Sequence, residues 1–270
     1  MNKKTDGTSA IKKCLSILSC FSFTKTEMTL TEITQELQYP FPTVSRLVKA
    51  LEEEGFLERD KKSKQYRLGY KCTILSSIAQ KTVNIRSLSL PYMESLKNRF
   101  NETVNLYIRD GDYRICLEQV ESTHNLRRSA KLGDKFPLWA GASGRCFLAF
   151  MSQEELEFLI QNAQKITRFT VIDKQVILEK NNVLRKNGFT ISVSERENGV
   201  SSVASPILDN TGRPVACIAV SGPTSRLSDD MIQALIPELK KSCYLISKKL
   251  GAQNSELVFL DNDGALHTNL

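Results

Sequence analysis

Residues 29–68 constrain this chain more than any other stretch, because their local signals have one joint reading. Thr29-Leu30-Thr31-Glu32 is a capping box: the threonine hydroxyl takes a free N–H of the first turn, and Glu32 reaches back to the cap. A short helix follows, with Leu30, Ile33 and Leu37 on one face. Tyr39-Pro40-Phe41-Pro42 breaks it, since neither proline donates a hydrogen bond and each biases the preceding residue toward extended geometry. A second helix is expected from near Pro42, where Val44, Leu47, Val48 and Leu51 form a core-facing stripe and Thr43, Ser45, Arg46 and Lys49 lie opposite. Gly55 ends it. The segments Phe56–Asp60 and Gln65–Leu68 alternate like strands and flank a tip rich in lysine: Lys61, Lys62 and Lys64. Helix, tight turn, helix and basic hairpin describe a winged helix-turn-helix, whose second helix would enter a major groove while the hairpin follows the backbone.

Charge and cysteine usage narrow the setting. The chain has 270 residues and a net charge of +7. Residues 1–80 carry thirteen Lys and Arg against nine Asp and Glu, so +4 falls in less than a third of the length. That suits a polyanionic partner, although a solvated face can carry as much. The cysteines Cys14, Cys20, Cys72, Cys116, Cys146, Cys217 and Cys243 are odd in number, scattered and without a C-x-x-C pair. They read as reduced thiols in apolar runs rather than a disulfide framework or zinc site, and a cytoplasmic protein is expected. No signal-peptide pattern or apolar run of membrane-spanning length is present, so no membrane partner is expected.

Along the chain, residues 1–8 read as a disordered arm. Ile11, Cys14, Leu15, Leu18 and Phe21 then mark an amphipathic helix, giving a DNA-binding domain over 9–69. Residues 70–85 read as a linker helix, its apolar positions available to a second copy. Residues 86–250 change in pattern. A helix with Leu88, Tyr92, Leu96 and Phe100 precedes alternation at Val104, Leu106 and Ile108, an Asp110-Gly111 turn, and alternation again at Tyr113, Ile115 and Leu117. A strand over Leu126–Lys131, helices over Ala140–Met151, from Ser152 and over Asp173–Asn187, and strands over Phe189–Val193, Ser201–Leu208 and Val215–Val220 are expected next. Ser228 caps a last helix to about Leu250, and 251–270 read as a flexible tail. Helices flanking a largely antiparallel sheet make an α+β domain of sensing type.

Three segments together are similar to the IclR family of bacterial transcriptional regulators. They are Thr43–Leu47 running into Glu54–Asp60 and Tyr66–Gly69; Leu132–Arg145; and Glu195–Pro206 with Val220–Pro223 beyond. The resemblance covers nearly the whole chain. It implies a GAF-like effector-binding domain and a dimer or dimer of dimers on a palindromic DNA operator, with repression the expected direction. The chain departs from the family pattern at Phe41-Pro42, where a Lys-Ser pair is frequent. Trp139 stands for a common histidine, Ser192 for an acidic residue of some members, and Ala219 for a serine. These departures point to an effector different from the short keto-acids that some relatives bind.

Candidate residues follow in two groups. For DNA, Arg46 is the base reader, because a guanidinium binds guanine O6 and N7 in a fork; Thr43 and Ser45 lie near the helix start. Lys49, Arg59, Lys61, Lys62, Lys64 and Arg67 are expected on phosphates. For the effector, expected to be an organic or sugar acid, the candidates are Phe136, Trp139, Ala142, Ser143, Gly144, Ser192, Ser202, Ala219 and Ser221. Free N–H groups at the start of the 140–151 helix suit a carboxylate. Tight helix–sheet packing would select the same glycines and serines. Catalysis is not expected: Gly141-Ala142-Ser143-Gly144-Arg145 fails the G-x-S-x-G pattern, and of only two histidines His267 is in the tail and His124 follows a strand. No cofactor or metal site is expected. The opposing reading is a small-molecule receptor or GAF-like redox enzyme carrying a vestigial DNA module.

Overall fold

The computed structural model describes residues 6–22, 25–82 and 84–252. The chain divides into two compact units, 1–83 and 84–270. Residues 1–5 of the expected arm and 253–270 of the expected tail lie outside the described residues.

The first unit contains α1 (Asp6–Ser19), α2 (Leu30–Leu37), α3 (Phe41–Glu53), a two-stranded antiparallel hairpin β1 (Leu57–Arg59) and β2 (Tyr66–Leu68), and α4 (Tyr70–Thr82). Both halves of the Thr29–Glu32 capping box form, and Gln38 closes α2 in the left-handed conformation with its N–H on Thr34 O. Ile33 of α2 and Val44, Leu47, Val48 and Leu51 of α3 meet Ile17, Met28, Leu57 and Tyr66 in one core. Met28 and Tyr66 exchange backbone hydrogen bonds of 2.9 and 2.7 Å, fastening the wing to the chain ahead of α2. Gly69 is required by proximity, since a Cβ there would lie 2.3 Å from the carbonyl oxygen of Gly55.

Four expectations change in this unit. Residues 6–8, assigned to the arm, are the first turn of α1. The buried residue of α1 is Ile17, whereas Ile11 and Leu15 of the expected apolar face are exposed. Helix α3 begins at Phe41, one residue earlier than expected, with no side-chain cap. In α4, Tyr70, Ile74 and Leu75 are exposed, and Asn84 caps the next helix, so the linker helix ends before Ile85.

The second unit is built on α5 (Ile85–Phe100), β3 (Thr103–Asp110), β4 (Tyr113–Val120), β5 (Lys135–Pro137), α6 (Ala142–Leu148), α7 (Gln153–Gln161), α8 (Lys174–Asn187), β6 (Thr190–Val193), β7 (Val200–Leu208), β8 (Pro214–Pro223) and α9 (Asp229–Lys249). The six strands form one antiparallel sheet in the order β5-β4-β3-β8-β7-β6. Period-two alternation sorts its residues onto two faces. Val104, Leu106, Val203, Ile207, Ala216, Ile218 and Val220 pack with Met93 and Leu96 of α5 and Leu235, Leu239, Cys243 and Ile246 of α9. On the other face Tyr107, Cys116, Ala204, Cys217 and Ala219 pack with Cys146 and Phe147 of α6, Leu156 and Leu159 of α7 and Ile177 and Leu184 of α8. Of the seven cysteines, all free thiols, five are buried.

The strand expected over Leu126–Lys131 is absent. That segment is an irregular loop, held where the Gln119 side chain accepts from Ala130 N and where Arg127 and Ser129 bond Glu121. Leu126 is exposed while Ala130 and Arg128 turn inward, so the segment is held by side-chain bonds and burial rather than by a strand ladder. The sheet edge is instead β5, three residues further on. No helix among the described residues is long and apolar enough to cross a membrane.

Candidate functional site

On the first unit, Arg46 and Lys49 are exposed on α3, and Thr43 and Ser45 are half-buried. Lys49 lies 3.8 Å from Glu53 one turn on. At the wing, Asp60 Oδ1 accepts from Lys62 N, Ser63 N and Ser63 Oγ, which builds the turn and presents Lys61, Lys62 and Lys64 outward. Those bonds to its charged form hold the Asp60 carboxyl below its ordinary pKa. Arg59 stacks on the Tyr66 ring at 5.3 Å, and Arg67 bonds Glu58 through two nitrogens. These last two guanidinia are therefore engaged within the hairpin, while Arg46 and the three tip lysines have no ion-pair partner among the described residues.

On the second unit, a small, partly open cleft lies between the sheet and α6, lined by Tyr107, Arg114, Gly141–Ser143, Ser192, Arg196, Glu197, Val200, Ser202 and Ser221. Five of the sequence-derived candidates meet there: Ala142, Ser143, Ser192, Ser202 and Ser221. Ser221 donates to Ser202 at 2.9 Å, across the β7–β8 pair. The other four stand outside the lining. Gly144 is pressed against the Leu138 carbonyl, and Ala219 is buried among apolar neighbours. Trp139 donates Nε1 to Gln164 O at 2.9 Å, away from the cleft. Phe136 sits behind it, as the ring on which arginines stack.

Helix α6 also differs from expectation. It spans seven residues, not twelve, and the N–H of its cap residue Gly141 is taken by Glu195 Oε2 at 3.2 Å. Glu195 is held in turn by Arg145, whose Nη2 lies 2.9 and 2.8 Å from its two oxygens. Arg145 Nη1 reaches Thr190 Oγ1 at 3.0 Å and Ile191 O at 3.2 Å. Lys180 stands 3.7 Å from the same carboxylate. One N–H at this helix start is thus taken by the protein's own carboxylate, which fastens α6 to the 194–199 turn.

Positive charge in the cleft comes from residues that sequence reasoning passed over. Arg114 is among the largest fully buried side chains of the fold. It donates Nη1 to Pro137 O and Nη2 to Ala140 O at 2.9 Å, while its Nε has no hydrogen-bond partner among the described residues. The rings of Tyr107 and Phe136 flank it at 5.5 and 5.6 Å. Burial above all, with the neighbouring Arg196 adding to it, lowers its pKa to about 10. Arg196 lies 4.3 Å from the Phe136 centroid and Arg128 5.8 Å. Burial lowers the Arg196 pKa too, followed by the charge of Arg128. The carboxylate in ion-pair contact with this group among the described residues is Glu197, half-exposed, 3.0 Å from Arg128 and 3.6 Å from Arg196, and Asp134 acts on Arg196 from farther off. A signal did exist: Arg114 precedes Cys116 by two, so both fall on one face of β4, opposite Ile115 and Leu117.

Comparison with known proteins bears on both sites. Residues 78–248 match the profile of the bacterial transcriptional regulator IclR C-terminal domain, and residues 10–61 that of the IclR helix-turn-helix domain. The chain belongs to the IclR family. Among its relatives is the HTH-type transcriptional regulator KipR of Bacillus subtilis (strain 168), 32% identical over 243 residues, which cover 89% of this chain and 96% of that protein. The HTH-type transcriptional repressor AllR of Salmonella typhimurium is 29% identical over 247 residues, covering 91% of each. The fold matches an IclR regulator from Silicibacter sp. TM1040 with a TM-score of 0.83 at 24% identity, covering 90% of this chain and 96% of the other. As an IclR member the chain is a DNA-binding transcriptional regulator. Its relatives are regulators rather than enzymes.

Proposed function

We propose that this regulator represses transcription from a palindromic operator, which it binds as a dimer or dimer of dimers, and that a small organic acid in the α6 cleft changes that binding. The observation that carries the effector half is the pair of arginines on the cleft, Arg114 and Arg196, the first of them fully buried. A buried cation without a carboxylate beside it favours an anionic guest. Repression rests on the likeness to AllR, a repressor by name. Effector action requires that the ligand bind one arrangement of the dimer better than another, since equal affinity shifts nothing.

On the DNA side, α3 lies in the major groove, Arg46 reads a guanine, and Thr43, Ser45 and Lys49 support it. Lys61, Lys62 and Lys64 hold phosphates. Arg59 and Arg67 take part only to the extent that they leave Tyr66 and Glu58. The test is operator binding by titration at several salt concentrations, using a site selected from random duplexes. Arg46→Ala is expected to weaken specific binding by about 1–3 kcal/mol and to relax preference at one base pair. Lys62→Ala is expected to weaken selected and random duplexes alike and to reduce the salt slope by about 1. If Arg46→Ala leaves the margin between selected and random duplex unchanged, Arg46 does not read bases.

A further inference from the structure

Resting on the organic-acid reading, we propose that the effector is a small dicarboxylate, one carboxylate held beside Arg114 at the inner end of the cleft and the other by Arg196 at its mouth. Three observations carry this. Arg114 is buried, and no carboxylate forms an ion pair with it among the described residues. Its Nε remains without a partner although both terminal nitrogens are satisfied by carbonyls. An uncompensated buried cation with a spare donor is a place for one negative group.

The second anionic position comes from crowding. Arg196 and Arg128 stack on the same Phe136 ring, close enough that the charge of Arg128 disfavours that of Arg196. Arg128 Nε also lacks a hydrogen-bond partner, because its 3.0 Å approach to Glu197 does not have hydrogen-bond geometry. Glu197 alone is shared between two guanidinia and is half in water. A carboxylate placed here accepts a charge-assisted bond and relieves that repulsion.

Between the two ends the floor is polar and uncharged. Ser202 and Ser221 bond each other at 2.9 Å, and Ser143 and Ser192 complete it. Four hydroxyls, against only Tyr107, Ala142 and Val200 as apolar lining, suit a short chain carrying oxygen better than a fatty or aromatic acid.

The experiment is a thermal-shift and calorimetric series on the full chain at fixed ionic strength. Succinate, tartrate and glutarate are compared with butyrate and with succinamate, which keeps the length of succinate and removes one charge. The diacids are expected to raise the melting temperature, and succinamate to bind on the order of tenfold more weakly, as expected for one lost charge-assisted bond. Arg196→Gln is expected to reduce succinate affinity by a similar factor and to change succinamate much less, so that the diacid preference collapses. A purely structural role for Arg196 would weaken both ligands equally and overturns the proposal. Wild-type binding of butyrate as tight as succinate also overturns it, while leaving the organic-acid reading standing. Binding of neutral amides or sugars without any carboxylate response overturns both.

Discussion

Arg145→Ala is expected to cost about 3–5 kcal/mol of folding stability, the loss that follows when one member of a buried ion pair is removed. Both side chains of the Arg145–Glu195 pair are only 4% exposed, so water cannot take over the abandoned charge. Glu195 would keep only the Gly141 N–H at 3.2 Å and the more distant Lys180. Thr190 Oγ1 and Ile191 O would lose the donor they share. The consequence reaches the cleft, because the 194–199 turn that carries Arg196 and Glu197 is tied to α6 through this carboxylate. Denaturant titration of the full chain gives the cost. Replacing both partners by apolar residues of similar volume, Arg145→Met with Glu195→Leu, is expected to recover much of it, since the penalty lies in the stranded charge more than in the lost attraction. A double variant as unstable as the single one would show that the pair's value is its hydrogen-bond geometry instead.

Gly144→Ala is the second large effect, and its cause is steric. A Cβ at this position would stand 2.0 Å from the carbonyl oxygen of Leu138 and 2.9 Å from Arg114 Nη1. Leu138 is fully buried and its N–H is bonded to Asp112 O at 3.0 Å, so this backbone does not yield. Helix α6 must then move off the sheet, at a cost near or above the upper end of the about 1–3 kcal/mol typical of overpacked cores. Gly133→Ala supplies the contrast. Nothing lies within 4 Å of its Cβ position, and its φ of +86° costs only about 1–2 kcal/mol. Unfolding midpoints in denaturant separate the two variants. A Gly144→Ala protein no less stable than Gly133→Ala would mean that α6 tolerates displacement, and the rigidity assigned to the cleft would be wrong. Gly144 was selected from the sequence as an effector contact; the structure assigns it to close packing instead.

The first unit was largely legible because its determinants are local. The Thr29–Glu32 box, the proline break, the stripe Val44, Leu47, Val48 and Leu51 and the stop at Gly55 all act within a few residues. Each appears in the structure within about one residue of its expected place. The second unit was legible in its alternation and caps: Ser152, Asp173 and Ser228 cap helices as their spacing suggested. It failed at 126–131, where an apolar–basic run resembles a strand but is held instead by the side chains of Gln119 and Glu121 at the end of β4. Strand propensity records only what a residue tolerates, and neighbouring strands decide the rest.

The cleft divides the same way. Its hydroxyls were visible as Ser143, Ser192, Ser202 and Ser221, because glycine- and serine-rich segments next to strand patterns are local features. Its charge was not. Arg114, Arg128 and Arg196 are distant in sequence, and apart from the place of Arg114 on the Cys116 face of β4 each alone reads as an ordinary surface guanidinium. Only the β4–β3–β8 pairing, the packing of α6 and the shared Phe136 ring bring them to one place. What the sequence determined by itself was therefore the helix-turn-helix, the wing and the sheet pattern, where the forces act within one turn or one pleat. What only tertiary structure decided was the sign of the cleft, because burying a charge is a property of everything packed around it.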